Sequence, residues 1–269
     1  MGAALGLAAY LVFAPMFVLP ALALLLIVSG PTTLREWWWI AASVLWVTYS
    51  FSRDLGLFEQ TLLAAGMLVS GAFVIGMLRR PRPAFQVALS ALLLAAAGLL
   101  FWGAWLGIGW QDVRQAFVRE TWQLARLLLH PEFSEGGVAA GATMQSYGEE
   151  IAERAGPLSI VLPGIMALSA MGGLAMAWNW YCRISRQPIG GPLGRLADFR
   201  FNDQLVWGVV LGLGILVFPA PTPLRELAGN LTLFFGGLFA LRGLAVRSEE
   251  RRVGKECYAL CRSRWSPYH

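Results

Sequence analysis

The chain is short of the side chains from which most metal and catalytic sites are built. Its 269 residues contain three cysteines and two histidines, and before residue 247 these are only Cys182 and His130. One of each cannot form a disulfide framework, a zinc ligand set or a Ser-His-Asp arrangement. The GxSxG, HExxH and P-loop motifs are also missing. We therefore expect no catalytic residue, metal or cofactor, and predict that the protein is not an enzyme.

Charge is scarce, and lysine is almost absent. Charged residues make up 14% of the chain, with Lys255 as the single lysine and a formal net charge of +5. The arginines are scattered over loops without a basic face interleaved with aromatic residues, which argues against nucleic acid as a partner. Hydrophobic residues account for 57%, and the mean hydropathy is +0.58. This composition is typical of an integral membrane protein rather than a soluble domain.

The apolar residues occur in runs of about one membrane thickness, for which a helix needs roughly 20 residues. These runs predict an all-α, polytopic transmembrane bundle of about seven spans, within a range of six to eight. Lipid is then the first partner. The predicted spans are residues 3–28, 37–51, 57–78, 84–108, 158–181, 205–218 and 227–246.

The first two runs each leave an alternative open. The first contains Pro15 and Pro20, which predict a kinked span because neighbouring helices satisfy the freed carbonyls. A cleaved signal peptide is the rival interpretation, but the run is too long and lacks a basic start. The second run opens with residues 37–39, three tryptophans beside Arg35. An aromatic belt at headgroup level is the simpler interpretation, and a stacking or cation–π ligand site is the other.

Residues 111–156 form the long polar segment of the sequence. Apolar residues recur at helical spacing from Asp112 to Leu129, which predicts an amphipathic helix lying along the membrane interface. The remainder is acidic and ends with Glu149, Glu150 and Glu153. A solvated helix face is the simpler interpretation of these carboxylates, and a metal site is the alternative.

Small residues within the spans predict close helix packing. The third span carries glycine or serine at four nearby positions, and Gly208 and Gly212 form a GxxxG pair in the sixth. Such residues let another helix backbone approach closely, so we expect a packed bundle. The four positions are Gly66, Ser70, Gly71 and Gly76.

The arginines also predict a sidedness. If seven spans are correct, one side carries most of the loop arginines, and the other carries Arg53, Arg225 and the net-acidic segment. Arginine-rich short loops are typically cytoplasmic, which places the N-terminus outside and residue 246 inside a bacterial inner membrane. The arginines of the first side are Arg35, Arg79, Arg80, Arg82, Arg183, Arg186, Arg195 and Arg200.

Residues 247–269 differ in composition from the transmembrane domain, residues 1–246. They contain the lysine and two of the cysteines, and end in CRSRWSPYH. The stretch resembles a sequencing-adapter-derived peptide, so we expect a non-native, disordered tail and a truncated native chain. A zinc site from Cys257, Cys261 and His269 is the alternative, but it lacks a second ligand pair.

Four motifs stand out between Gly156 and Val246: Pro163-Gly164, Asn179 before Trp180-Tyr181, the segment from Phe199 to Trp207, and Asn230 ahead of residues 241–246. With these motifs the stretch resembles the YybS-like family of uncharacterised bacterial membrane proteins. Family members continue beyond the last motif with a further apolar helix, and they have proline where this chain has Asn202. The resemblance implies a distant likeness to the substrate-binding S components of energy-coupling-factor transporters, with Gly2, Ala4, Gly6 and Ala8 as a docking face.

Polar groups in or beside the spans are the candidate substrate contacts, because each is costly in lipid unless it faces the bundle or a cavity. Interhelical hydrogen bonding for the asparagines and edge anchoring or helix capping by Arg200 and Asp203 are the alternatives. Two functions remain open. One is a solute-binding transporter subunit that docks on an energising module, with an unknown small-molecule ligand; the other is a structural protein that recruits envelope partners. The candidate substrate contacts are Asn179, Asn230, Thr232, Arg200 and Asp203.

Overall fold

The computed structural model describes residues 14–79, 83–129, 138–194 and 202–264. Throughout these residues the regular structure is helical and none forms a strand, so the all-α prediction is confirmed. The chain divides into two compact units between Leu193 and Gly194. Each unit is described by itself below.

The first unit contains the helices α1 to α6, and the second contains a short 3-10 turn followed by α7 and α8. The bounds are α1 Pro15–Ser29, α2 Leu34–Ser52, α3 Leu57–Arg79, α4 Ala84–Leu106, α5 Trp110–Leu129, α6 Val138–Ile184, the turn Asp203–Leu205, α7 Val206–Val217 and α8 Thr222–Arg264.

Local chemistry accounts for several helix ends. Gly30 (φ 75°) follows α1 and Gly107 (φ 66°) follows α4, and both adopt positive φ angles that only glycine adopts readily. Thr33 caps α2 through a capping box with Glu36, in which each side chain bonds to the other residue's backbone N–H. The sharp turns after α1 and α4 let the next helix start within a few residues.

Helix α1 lies at the centre of the first unit. It packs against α2, α3 and α6, and its residues from Phe17 to Ala23 are all buried although Pro20 lies inside the helix. Pro15 occupies the first turn, where no N–H donor is required. Burial of this one helix thus organises the bundle around it. The residues with no exposed surface are Val18, Ala21, Leu22, Leu25 and Leu26.

Glycines allow the closest helix contacts, as the sequence predicted. A Cβ atom on Gly66 would lie 2.5 Å from the carbonyl oxygen of Met16, and one on Gly76 would lie 2.6 Å from a methyl of Val87. In the second unit, a Cβ on Gly212 would lie 2.9 Å from the carbonyl oxygen of Ala228. The predicted small-residue packing is confirmed at these positions, whereas Gly71 faces open space.

Side-chain contacts define the directions of the helices in the first unit. Gly76 faces Val87 and Gly98 faces Leu68, so α3 and α4 run antiparallel. The start of α3 and the middle of α6 both contact the first half of α5, and further along the ring of Phe73 in α3 meets that of Trp178 in α6, so these two helices run parallel. The bundle therefore has one end at the starts of α2 and α4 and the ends of α1, α3 and α6. The contacts to α5 are Phe58 with Phe117 and Arg114 with Ser159.

The seven-span count is not supported by the described residues. Three helical segments are long and apolar enough to cross a membrane: Leu57–Arg79, Ala84–Leu106 and Glu153–Ile184. Pro15–Ser29 and Asp203–Val217 are apolar but shorter, and a 15-residue helix reaches only about 23 Å, less than the hydrocarbon thickness of about 30 Å. Residues 3–13 of the first predicted span lie outside the described residues.

Two helices extend beyond the boundaries predicted from the sequence. Helix α6 is continuous from Val138 to Ile184 with Pro157 and Pro163 inside it, so it joins the predicted span 158–181 to much of the acidic segment before it. Helix α8 continues to Arg264, where the sequence predicted a disordered tail from residue 247. Apolar periodicity marked the membrane-length part of each helix but gave no signal for its polar continuation.

Candidate functional site

The described substrate contacts predicted from the sequence belong to both units, Asn179 to the first and Asn230, Thr232 and Asp203 to the second. Asn179 is half-buried on α6 in the first unit, and Arg200 lies outside the described residues. Asp203 forms an ion pair with Arg242, about 15 Å along α8 from Thr232 at a rise of about 1.5 Å per residue. The cap of the 3-10 turn is Asn202, which accepts a hydrogen bond from the Gln204 N–H at 3.0 Å. Asp203 therefore binds the neighbouring helix rather than capping its own.

Asn230 and Thr232 have local roles in α8. The Asn230 side-chain amide donates to the carbonyl oxygen of Glu226 at 2.8 Å. The Thr232 hydroxyl is buried and faces Gly212 of α7. The Asn230 bond lies within α8 and is not the interhelical bond of the alternative, whereas Thr232 lies at the contact between α7 and α8.

Among the described residues of the first unit, the most enclosed carboxylate is one that the sequence reasoning did not select. Glu36 is 2% exposed. Its Oε2 accepts hydrogen bonds from the backbone N–H groups of Thr32 and Thr33, each at 2.7 Å. Its Oε1 accepts the backbone N–H of Arg186 at 3.1 Å. One side chain thereby joins the start of α2 to the segment that follows α6.

That segment folds back on the end of α6. The indole N–H of Trp178 donates to the carbonyl oxygen of Gly191 at 3.1 Å, and the hydroxyl of Tyr181 accepts the N–H of Ile189 at 3.0 Å. The Trp178 and Tyr181 rings lie 5.5 Å apart. We call Glu36 together with residues 185–191 the Glu36 latch. It fixes an otherwise irregular segment through side chains of two helices.

The latch holds Glu36 in its ionised form. Burial alone raises the pKa of this carboxyl group, but the N–H groups of Thr33, Thr32 and Arg186 and the Thr33 hydroxyl together outweigh burial and lower the pKa to about 2. Hydrogen bonds to a carboxylate favour its charged state in this way. The latch is therefore complete at neutral pH.

Part of this site was legible in the sequence. Thr33 and Glu36 stand three residues apart before an apolar run, which is the capping-box pattern. From the sequence we interpreted the tryptophans that follow it and did not select Glu36. Trp37 and Trp38 are 55% and 68% exposed, while the ring of Trp39 meets that of Trp180 edge-on at 5.8 Å. Two of the three are thus exposed, and the third packs between helices.

The end of the bundle that carries the latch also carries exposed arginines. Arg35 starts α2, Arg79 ends α3, and Arg183 and Arg186 lie at the end of α6. We call this the arginine end. The one acidic residue among its described positions is Glu36, whose oxygens face backbone N–H groups. Arg53 follows the other end of α2.

The opposite end is built around α5. Val113, Ala116 and Ala125 are buried where α5 packs along α6 and α3. The amphipathic helix is therefore confirmed, and its buried face contacts protein. Glu120 is half-buried against Gly56, and burial followed by the charge of Glu59 raises its pKa.

We expect Glu120→Gln to stabilise the protein at neutral pH. A carboxyl group whose pKa is raised by folding stabilises the native state fully below its unfolded pKa, and this contribution is lost as the pH rises through the folded value. Glutamine keeps an acceptor for the N–H of Phe58 but removes the repulsion from Glu59. Unfolding free energies near pH 4 and pH 7 should show a gain only at the higher pH. A matched Glu153→Gln variant, at an exposed position, should change neither value.

No group of three His, Cys, Asp or Glu residues that could hold a metal ion occurs within the described ranges. Comparisons of the chain with models of protein families, with curated proteins and with solved structures gave no match. The proposals below therefore rest on the chain's own geometry and on the resemblance stated above.

Proposed function

We propose that the protein is a multi-pass membrane protein, and the exposed apolar surface of its helices is the observation that carries this. The outward faces of α2 and α4 bear large apolar side chains, among them Leu100 and Trp105, which are 74% and 78% exposed. Soluble monomers rarely expose contiguous apolar surface of this extent, whereas lipid tails cover it without cost. Further members of this surface are Val44, Leu45, Phe51, Leu93, Leu94 and Phe101.

We further propose the seven-pass arrangement, with the arginine end in the cytoplasm of a bacterial inner membrane. It requires α2, α7 and α8 to cross in addition to the three candidate spans, and α1 to be continued by residues 3–13. The distribution of arginine supports it, because basic residues next to spans favour the cytoplasmic side. The N-terminus is then outside and residue 246 inside.

Within that membrane, we propose a solute-binding subunit of the energy-coupling-factor type. The resemblance of residues 156–246 supports it, as does the close packing of α1, α3 and α6 into a small bundle. The candidate contacts to an unidentified small molecule are Asn179, Asn230, Thr232, Arg200 and Asp203. An energising module supplied by other proteins is the implied partner.

A thermal-shift screen tests this proposal. The full chain is expected to stay in membranes after an alkaline carbonate wash, and then to be stabilised in detergent by one compound among vitamins and nucleobases. At about 100 times Kd, such a ligand should raise Tm by about 5–10 °C. Asn179→Ala should remove the shift, while Gln86→Ala, at an exposed position on α4, should keep it.

The two parts of the proposal fail separately in this experiment. Release of the protein by the carbonate wash would contradict membrane insertion. A protein that stays in the membrane but shows no shift with any compound would contradict solute binding alone.

One observation favours a second function, a structural protein that recruits envelope partners. Helix α6 begins at Val138, whereas its candidate membrane span begins at Glu153. Fifteen helical residues extend about 22 Å, and Glu149 and Glu150 on this extension are exposed. Co-purification with envelope proteins would favour this function, and co-purification with an ATPase module would favour the transporter subunit.

A further inference from the structure

The arginine end gathers four exposed guanidinium groups from three helices. Glu36 and the backbone of Arg186 connect the start of α2 to the end of α6 at 3.1 Å. The Phe73 and Trp178 rings, with centroids 6.2 Å apart, align the last turns of α3 and α6. Arg35, Arg79, Arg183 and Arg186 therefore share one end because the fold places them there, although they are far apart in sequence.

Little negative charge is available at this end to neutralise them. Glu36 is the acidic side chain in the described part of the arginine end, and its two oxygens accept backbone N–H groups of Thr32, Thr33 and Arg186. The arginine side chains project outward instead, and all four residues are exposed. An anionic partner from outside the bundle is the complement that this surface lacks.

The level of the arginine end relative to the bilayer indicates what that partner is. Trp37 and Trp38 follow Arg35 and Glu36 in the first two turns of α2 and are 55% and 68% exposed. Exposed tryptophans are typical of the headgroup level of a bilayer, so the guanidinium groups next to them lie at the height of lipid phosphates. Arginine suits that ligand because its planar fork binds phosphate oxygens in pairs.

We propose that the arginine end binds the headgroups of anionic phospholipids, with Arg35, Arg79, Arg183 and Arg186 as phosphate contacts and Trp37 and Trp38 at the glycerol level. This rests on the proposed membrane insertion. It specifies the class of lipid, because the apolar faces alone can be covered by the acyl chains of any bilayer. The bound lipids would occupy the leaflet that faces the arginine end.

The test compares lipid binding of the full chain in detergent by native mass spectrometry, with phosphatidylglycerol and phosphatidylcholine as probes. We expect more phosphatidylglycerol than phosphatidylcholine to be bound. Removing one basic residue near a membrane surface weakens anionic lipid binding about fivefold. Arg183→Gln with Arg186→Gln should therefore weaken phosphatidylglycerol binding by roughly 25-fold. The latch survives this change because Glu36 binds the backbone of Arg186 and not its side chain.

A matched double variant, Arg53→Gln with Arg119→Gln, removes two exposed arginines from the opposite end. It should change phosphatidylglycerol binding less than about twofold. Equal binding of the two lipids by the unaltered protein would overturn the proposal, as would equal losses in both double variants. Displacement of the lipid by millimolar inorganic phosphate would also overturn it, because a free-anion site would then explain the binding. Carbonate extraction measures membrane insertion independently of lipid binding. A failure of insertion is therefore distinguishable from a loss of lipid selectivity.

Discussion

Replacing Glu36 by glutamine is expected to destabilise the protein by about 2–3 kcal/mol at neutral pH. Glutamine has the same shape but one acceptor oxygen instead of two. Three backbone N–H groups converge on the two oxygens of Glu36, so the amide nitrogen of glutamine must face at least one of these donors. The free energy of unfolding in mixed micelles, followed by far-ultraviolet circular dichroism, measures the loss.

The pH dependence identifies the charge as the cause. Folding lowers the pKa of Glu36 from 4.5 to about 2. A carboxyl group of this kind contributes stability that is fully present above its unfolded pKa and is lost as the pH falls through its folded pKa. The difference between wild type and Glu36→Gln should therefore be largest near pH 7 and shrink to less than half near pH 3.

Glu153→Gln is the matched control, since it changes the same functional group at an exposed position on α6. It should alter stability by less than about 0.5 kcal/mol. If Glu36→Gln costs no more than this control, or if its cost does not depend on pH, the ionised latch does not stabilise the fold.

Local sequence patterns predicted much of the helical structure, because apolar periodicity and helix capping act over a few residues. The third and fourth spans were predicted as residues 57–78 and 84–108, and the helices are Leu57–Arg79 and Ala84–Leu106. The amphipathic helix was predicted from Asp112, and α5 begins at Trp110. Where a helix continued through polar residues, as in the first part of α6, composition carried no comparable signal.

The Glu36 latch shows what such patterns cannot supply. The capping box with Thr33 is local and readable, but the bond to Arg186 joins residues 150 positions apart. Every residue except proline has a backbone N–H, so the use of this group as a donor does not depend on the residue type. No sequence motif therefore marks Arg186 as a partner of Glu36. The polar residues within spans stay predictions as substrate contacts, and the amide of one of them, Asn230, donates a hydrogen bond within its own helix turn.

The second large effect is expected where α1 is held between two glycines. A Cβ on Gly173 of α6 would lie 2.6 Å from the Cβ of Phe17 and 3.2 Å from its carbonyl oxygen. On the other side, Gly66 of α3 approaches the carbonyl oxygen of Met16. Neither neighbour is the flexible end of a side chain, so an added methyl group must displace the α1 backbone.

Gly173→Ala and Gly66→Ala are each expected to cost about 1–3 kcal/mol, although alanine favours helix over glycine by about 1 kcal/mol. Because both press on neighbouring residues of α1 from opposite sides, the double variant should cost more than the sum of the two single variants: a substitution that moves α1 away from one glycine presses it against the other. Gly71→Ala is the matched control, since a Cβ there meets nothing within 4 Å, and it should be neutral or stabilising. The free energies of unfolding of the two single variants and the double variant complete the cycle. Strict additivity of the two costs would mean that α1 is not clamped from both sides. A loss of stability in Gly71→Ala equal to that in Gly66→Ala would mean that glycine in these helices serves some purpose other than close approach.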